Sequence, residues 1–112
     1  MSHYANKAKE VYGFIETLSK KSPEVAKGFM SLRHGALSAG KLAAKEKELI
    51  AIGISIISHC DGCIACHVKD ALDTGASKEE IIETIGVAIL MGGGPAIVYG
   101  QKVYDAMEEY TK

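Results

Sequence analysis

The stretch from Leu49 to Ile57 holds Leu49, Ile50, Ile52, Ile54, Ile56 and Ile57, and it constrains the fold more than any other. On a helix these positions cover most of the circumference, and a helix apolar nearly all round is buried on several sides. A chain of 112 residues is one domain with a modest core, so it offers such a helix few internal neighbours. Two arrangements satisfy it. Either the helix is the centre of a monomeric bundle, or its second face meets other copies of the chain; the extent of the apolar surface favours association.

The rest of the chain is punctuated for helices, and no period-2 run of strand formers has hairpin turns on both sides. Residues 5–20 place Val11, Tyr12, Ile15 and Leu18 at helical spacing. Ser22-Pro23-Glu24 then supplies an N-cap, a proline at the first helical position and an acid in the first turn. That second helix should run to about His34, before a small-residue loop from Gly35 to Gly40, with a third helix from about Ala44 to Ser58. A fourth opens near Cys60 or Asp61 and should stop at Gly75, a favourable helix-ending residue. Ser77 and Glu80 form a capping box for a fifth helix reaching about Met91. Gly92-Gly93-Gly94 permits a tight bend and close helix approach, and Pro95 starts a sixth helix to about Tyr110. The expected fold is all-α, about six helices in a single domain over residues 1–112.

A net charge of −1 with scattered Lys and Arg argues against a nucleic-acid footprint, which needs a basic patch. No run approaches the ~18 apolar residues of a membrane span. Met1-Ser2-His3-Tyr4-Ala5-Asn6-Lys7 has no signal-peptide core, so a cytoplasmic location without membrane attachment is expected. Three cysteines, an odd count, fit a secreted disulfide framework poorly. In a reducing compartment such a cluster is more often catalytic or metal-binding.

The cluster is Cys60-Asp61-Gly62-Cys63-Ile64-Ala65-Cys66-His67. Helical spacing puts Cys60, Cys63 and His67 on one face. The positive end of a helix favours a thiolate, and an i, i+3 pair lies close enough for a disulfide. His67, one turn past Cys63, is within reach of its sulfur as a proton acceptor. Cys66 is also three residues from Cys63, so spacing alone permits that pair. It sits deeper in the helix and about 100° around from His67, which favours Cys60 with Cys63 and leaves Cys66 a packing role. Core filling and zinc binding compete with the redox reading. Four ligands within eight residues of one helix cannot surround an ion tetrahedrally without a second segment, so no metal is expected.

With Glu48 added, the pattern Glu48, eleven residues, Cys60-x-x-Cys63, three residues, His67 resembles the alkyl hydroperoxidase D-like proteins. These are the redox branch of the carboxymuconolactone decarboxylase superfamily. The likeness continues through Ile64-Ala65, His67-Val68-Lys69, Ala71-Leu72, Gly75-Ala76, Glu79-Glu80-Ile81 and Met91 to Pro95, and spans residues 33–105. The resemblance implies an all-helical fold, a homotrimer or homohexamer, and reduction of peroxides or protein disulfides by a reversible Cys60–Cys63 disulfide. Glu48 and His67 would form a proton relay, and an external thiol or protein donor would return the electrons without any bound cofactor. The family pattern makes Cys63 the attacking thiol and Cys60 the resolving one, whereas helix position argues for Cys60 as the more acidic.

The chain departs from the hydroperoxidase D proteins in having Asp61-Gly62 between the cysteines, where those proteins place a histidine. His59 stands next to the pair as a substitute or an exposed bystander. Two further functions are compatible with the residues: a non-redox decarboxylase or lactone-handling enzyme using His67 and Glu48 as acid and base, and a structural oligomer. Arg33-His34 could bind an anionic group, with solvated surface the default reading, and Tyr99 and Tyr104 read as core or interface residues. Helical rise puts Glu48 roughly 18 Å before Cys60 and His67 only about 10 Å after it. Glu48 must then reach His67 through a bent or steeply crossing helix, or arrive from a neighbouring subunit, or else lie on the surface beside Lys45, Glu46 and Lys47.

Overall fold

The computed structural model describes residues 2–112. Among them are six helices and no strand: α1 (His3–Lys21), α2 (Pro23–Leu37), α3 (Ala44–Ile57), α4 (Asp61–Asp73), α5 (Lys78–Gly92) and α6 (Gly94–Tyr110). The all-α expectation holds, with one boundary moved. α2 passes through Gly35 and ends at Leu37, because helical hydrogen bonding continues until the Ser38 N–H meets the His34 carbonyl.

The ends of the helices follow their sequence signals. Pro23 opens α2 behind Ser22, whose hydroxyl makes no capping bond. The Glu46 carboxylate accepts from the Ala43 N–H at the start of α3. Ser77 and Glu80 accept reciprocally from each other's N–H at 3.1 and 2.9 Å. At the other end of the molecule, Glu109 of α6 accepts from the N–H groups of Tyr4 and Ala5, satisfying the open first turn of α1.

The core forms where α3, α4, α5 and α6 meet, with α1 against α4 and α2 laid mainly on α1. Ile52, Ile56, Ile64, Val68, Ile81, Val103 and Met107 are fully buried. Glycines permit the tightest approaches. A Cβ on Gly92 would lie 2.6 Å from Ile57 Cδ1, and one on Gly100 would lie 2.8 Å from Ile85 Cγ2. Gly93, at φ 69°, makes the α5–α6 bend.

The third helix divides as its composition requires. Ile52 and Ile56 face inward, while Ile50, Ile54 and Ile57 remain about half exposed. With Gly53 of α3 and Val87 and Met91 of α5 they line an open apolar groove of about 610 Å³. No helix among the described residues is long and apolar enough to cross a membrane.

Candidate active site

Three residues, Ser58, His59 and Cys60, join α3 to α4. α3 ends in a Schellman motif: the His59 N–H donates to the Ile56 carbonyl and the Cys60 N–H to the Ser55 carbonyl. The left-handed position of that motif usually takes glycine, and α4 obeys the habit with Gly75 at φ 101°. In the α3 motif the same position holds His59, at φ 54°. Cys60 then caps α4, its Sγ accepting from the Cys63 N–H at 3.1 Å. One residue thus ends one helix and begins the next.

Cys60 and Cys63 are joined as a disulfide, with Cα atoms 5.2 Å apart, inside the ordinary range for such bonds. Cys66 is free and buried. Burial pushes its thiol up from the usual range, against the opposing influence of the neighbouring Tyr12 hydroxyl. Tyr12 is itself pushed up to about 12, first by burial and then by Cys66 and Asp70. Burial thus disfavours the thiolate form of Cys66.

His67 Nδ1 lies 2.7 Å from Glu48 Oε1, within one chain. The glutamate side chain is 6% exposed, so it is not a surface residue among its lysine neighbours. The mismatch anticipated from helical rise shrinks because α3 stops at Ile57. Nine residues separate Glu48 from that end and six separate His67 from the start of α4, leaving roughly 4–5 Å, which a glutamate side chain spans. A carboxylate on one ring nitrogen fixes the orientation of the ring and leaves the other nitrogen clear of that contact.

Asp70, one turn beyond His67, was not singled out by the sequence reading. Its carboxylate and the donor atoms of Glu48 and His67 all lie within 4.8 Å of one another. The Arg33 guanidinium, 2.7 Å from Asp70 Oδ2, supplies the positive charge at this place. Arg33 is half-buried on its partner, not solvated surface as its sequence context suggests. His67 to Asp70 is a same-face spacing and could have been noticed; Arg33, 37 residues away in sequence, gave no local signal.

On the other side of the disulfide, Lys102 Nζ donates to both carboxylate oxygens of Asp61, at 3.1 and 3.2 Å, and lies 4.6 Å from the centre of the Tyr99 ring. His59 stacks on that ring with centroids 4.4 Å apart and planes 10° from parallel. Its imidazole is thus committed to Tyr99. Tyr104 is 45% exposed.

A helical scaffold that mounts a cysteine pair at a helix start, backed by a buried carboxylate–imidazole contact, defines a class of thiol-bearing all-α proteins. The particular family follows from comparison with known proteins. The carboxymuconolactone decarboxylase family profile matches residues 23–106, three-quarters of the chain, and the chain belongs to that family. It is similar, with a TM-score of 0.96 and 35% identity over all of both chains, to a carboxymuconolactone decarboxylase family protein of Legionella pneumophila solved in its apo form. A family protein of Thermotoga maritima, for which a part in the antioxidative response is offered as a possibility, gives a TM-score of 0.84. It is 30% identical, covering 94% of this chain and 90% of that one. The alkyl hydroperoxide reductase AhpD of Corynebacterium kroppenstedtii is 28% identical over 64 residues, 57% of this chain and 37% of that protein.

Proposed function

We propose that this protein is a cytoplasmic thiol–disulfide oxidoreductase that reduces peroxides or protein disulfides through Cys60 and Cys63. The observation that carries the reading is the Cys60–Cys63 disulfide at the start of α4, on the helix whose His67 is held by buried Glu48. The likeness to AhpD and to the Thermotoga protein supports it.

With a peroxide, the Cys63 thiolate bonds to one peroxide oxygen. The O–O bond breaks, the departing alkoxide takes up the proton that His67 removed from Cys63 and leaves as the alcohol, and Cys63 becomes a sulfenic acid. Cys60 attacks that sulfur, the S–O bond breaks, water departs and the disulfide forms. Two electrons have passed from the thiols to the peroxide, and an external thiol or protein donor returns them by thiol–disulfide exchange. With a disulfide substrate, the same thiolate forms a mixed disulfide that Cys60 resolves. His67 takes the Cys63 proton, Glu48 stabilises the resulting imidazolium, and the α4 N-terminus stabilises Cys60 as a thiolate.

The test is differential thiol labelling with peptide mapping of reduced protein, before and after a brief peroxide pulse. A Cys60–Cys63 disulfide that a dithiol reverses, with Cys66 still alkylatable, is the expected result. Three thiols that remain alkylatable would overturn the reading in favour of acid–base chemistry on a lactone or carboxylate by His67 and Glu48.

We also propose that copies of the chain associate through the apolar groove between α3 and α5, as a trimer or a hexamer. Ile54, Val87, Leu90 and Met91 are each more than 60% exposed there and on the adjoining α5 surface, a concentration of apolar side chains that a partner surface would cover. Ile54→Lys is expected to shift the molar mass measured by light scattering toward that of a single chain while helical content is retained. An unchanged mass would place the contact elsewhere.

A further inference from the structure

Asp70 and Arg33 are a charged pair that the proposed chemistry leaves unused although they lie against its Glu48–His67 contact. Asp70 has its carboxylate within 4.8 Å of the Glu48 and His67 donor atoms, and Arg33 holds it at 2.7 Å. All but His67 line a polar cleft of about 300 Å³ that opens between α2, α3 and α4. From the geometry we infer that Asp70, anchored by Arg33, is a positioning residue that sets the charge felt by the Glu48–His67 pair and links that pair to the cleft. As a statement about thiol catalysis, this rests on the redox reading above.

Few of the groups around Asp70 and His67 carry charge. The titratable groups facing Asp70 and His67 are Tyr12 on α1, Arg33 and His34 on α2, Glu48 on α3, Cys66 and Asp73 on α4, and Tyr110 on α6. Burial pushes both tyrosines up to about 12 and pushes the Cys66 thiol up as well, so these stay neutral. Asp73 is paired with Lys69 at 3.1 Å on the exposed side of the helix, and His34 is exposed. What remains around the imidazole is Glu48, Asp70 and Arg33. Burial raises the Asp70 carboxyl above its usual range, the charge of Glu48 adds to this, and Arg33 and His67 oppose both. Two carboxylates so close cannot both be ionised cheaply without a nearby cation. Arg33 is that cation, and it reaches Asp70 directly and Glu48 only through it.

Removing Asp70's charge and removing Arg33's charge should therefore act on His67 in opposite directions, which a merely structural role would not do. The experiment follows the His67 ring-proton resonances by NMR against pH in wild type, Asp70→Asn, Arg33→Met and Arg33→Lys. The titration midpoint is expected to fall in Asp70→Asn and to rise in Arg33→Met. Arg33→Lys, which keeps the charge, should restore it. The pH at which peroxide drives disulfide formation should move with the same signs. Midpoints that stay together, or move the same way in both charge-removing variants, would overturn the inference even if the thiols are redox-active. Oppositely shifted midpoints in a protein that forms no disulfide would leave the coupling standing and remove the redox reading instead.

Discussion

Replacing Cys63 with serine is expected to lower peroxide or disulfide turnover by about three orders of magnitude or more, to the uncatalysed level, with the fold unchanged. A serine hydroxyl is not ionised at neutral pH, and losing a nucleophile removes nearly all of the chemistry it begins. The substitution is close to isosteric at a half-buried position, and the main-chain N–H of residue 63 can still donate to Cys60 Sγ. Cys66→Ser supplies the contrast. Its thiol is buried and disfavoured as a thiolate, so turnover should stay within a few-fold of wild type even if some stability is lost. Steady-state peroxide consumption with a dithiol donor measures both. Loss of activity in Cys66→Ser with retention in Cys63→Ser would mean the working pair has been misassigned.

The second large effect is on stability. Ile56 is fully buried, and the carbonyl of the same residue accepts from His59 in the turn leading to the cysteines. Ile56→Ala removes three carbons from a packed interior, at a cost of about 2–5 kcal/mol. For a domain of this size that corresponds to a fall in melting temperature of roughly 10 °C or more. Thermal unfolding followed by circular dichroism checks it. A loss of only a few degrees would show that neighbouring side chains collapse into the space.

Much of this architecture could be read from local chemistry. The capping box at Ser77 and Glu80, proline at the start of α2, glycine at the end of α4 and the bend at Gly93 are all short-range signals that the folded chain uses as expected. The split faces of α3 were legible for the same reason, because an all-round apolar helix has to divide its surface between core and exterior. What escaped notice depends on distance along the chain. Arg33 meets Asp70, and Lys102 meets Asp61, only because helices remote in sequence pack together. The reach from Glu48 to His67 was misjudged for a different reason: helical rise was counted as far as Cys60 along both helices, although Ser58, His59 and Cys60 belong to the turn between them, whose left-handed residue is His59 rather than glycine.

The junction at Cys60 bears on how the two thiols would compete with others in solution. Both cysteines are fixed by main-chain bonds, one closing α3 and the other inside the first turn of α4, so their Cα separation of 5.2 Å is a property of the backbone. A thiol tethered in that way acts at a large effective concentration; well-oriented intramolecular partners reach about 10⁵ M or more, and small thiols in a cell do not approach this. Any adduct formed on Cys63 would be displaced by Cys60 before a dissolved thiol could intercept it, so adducts would accumulate only in a chain lacking the resolving sulfur.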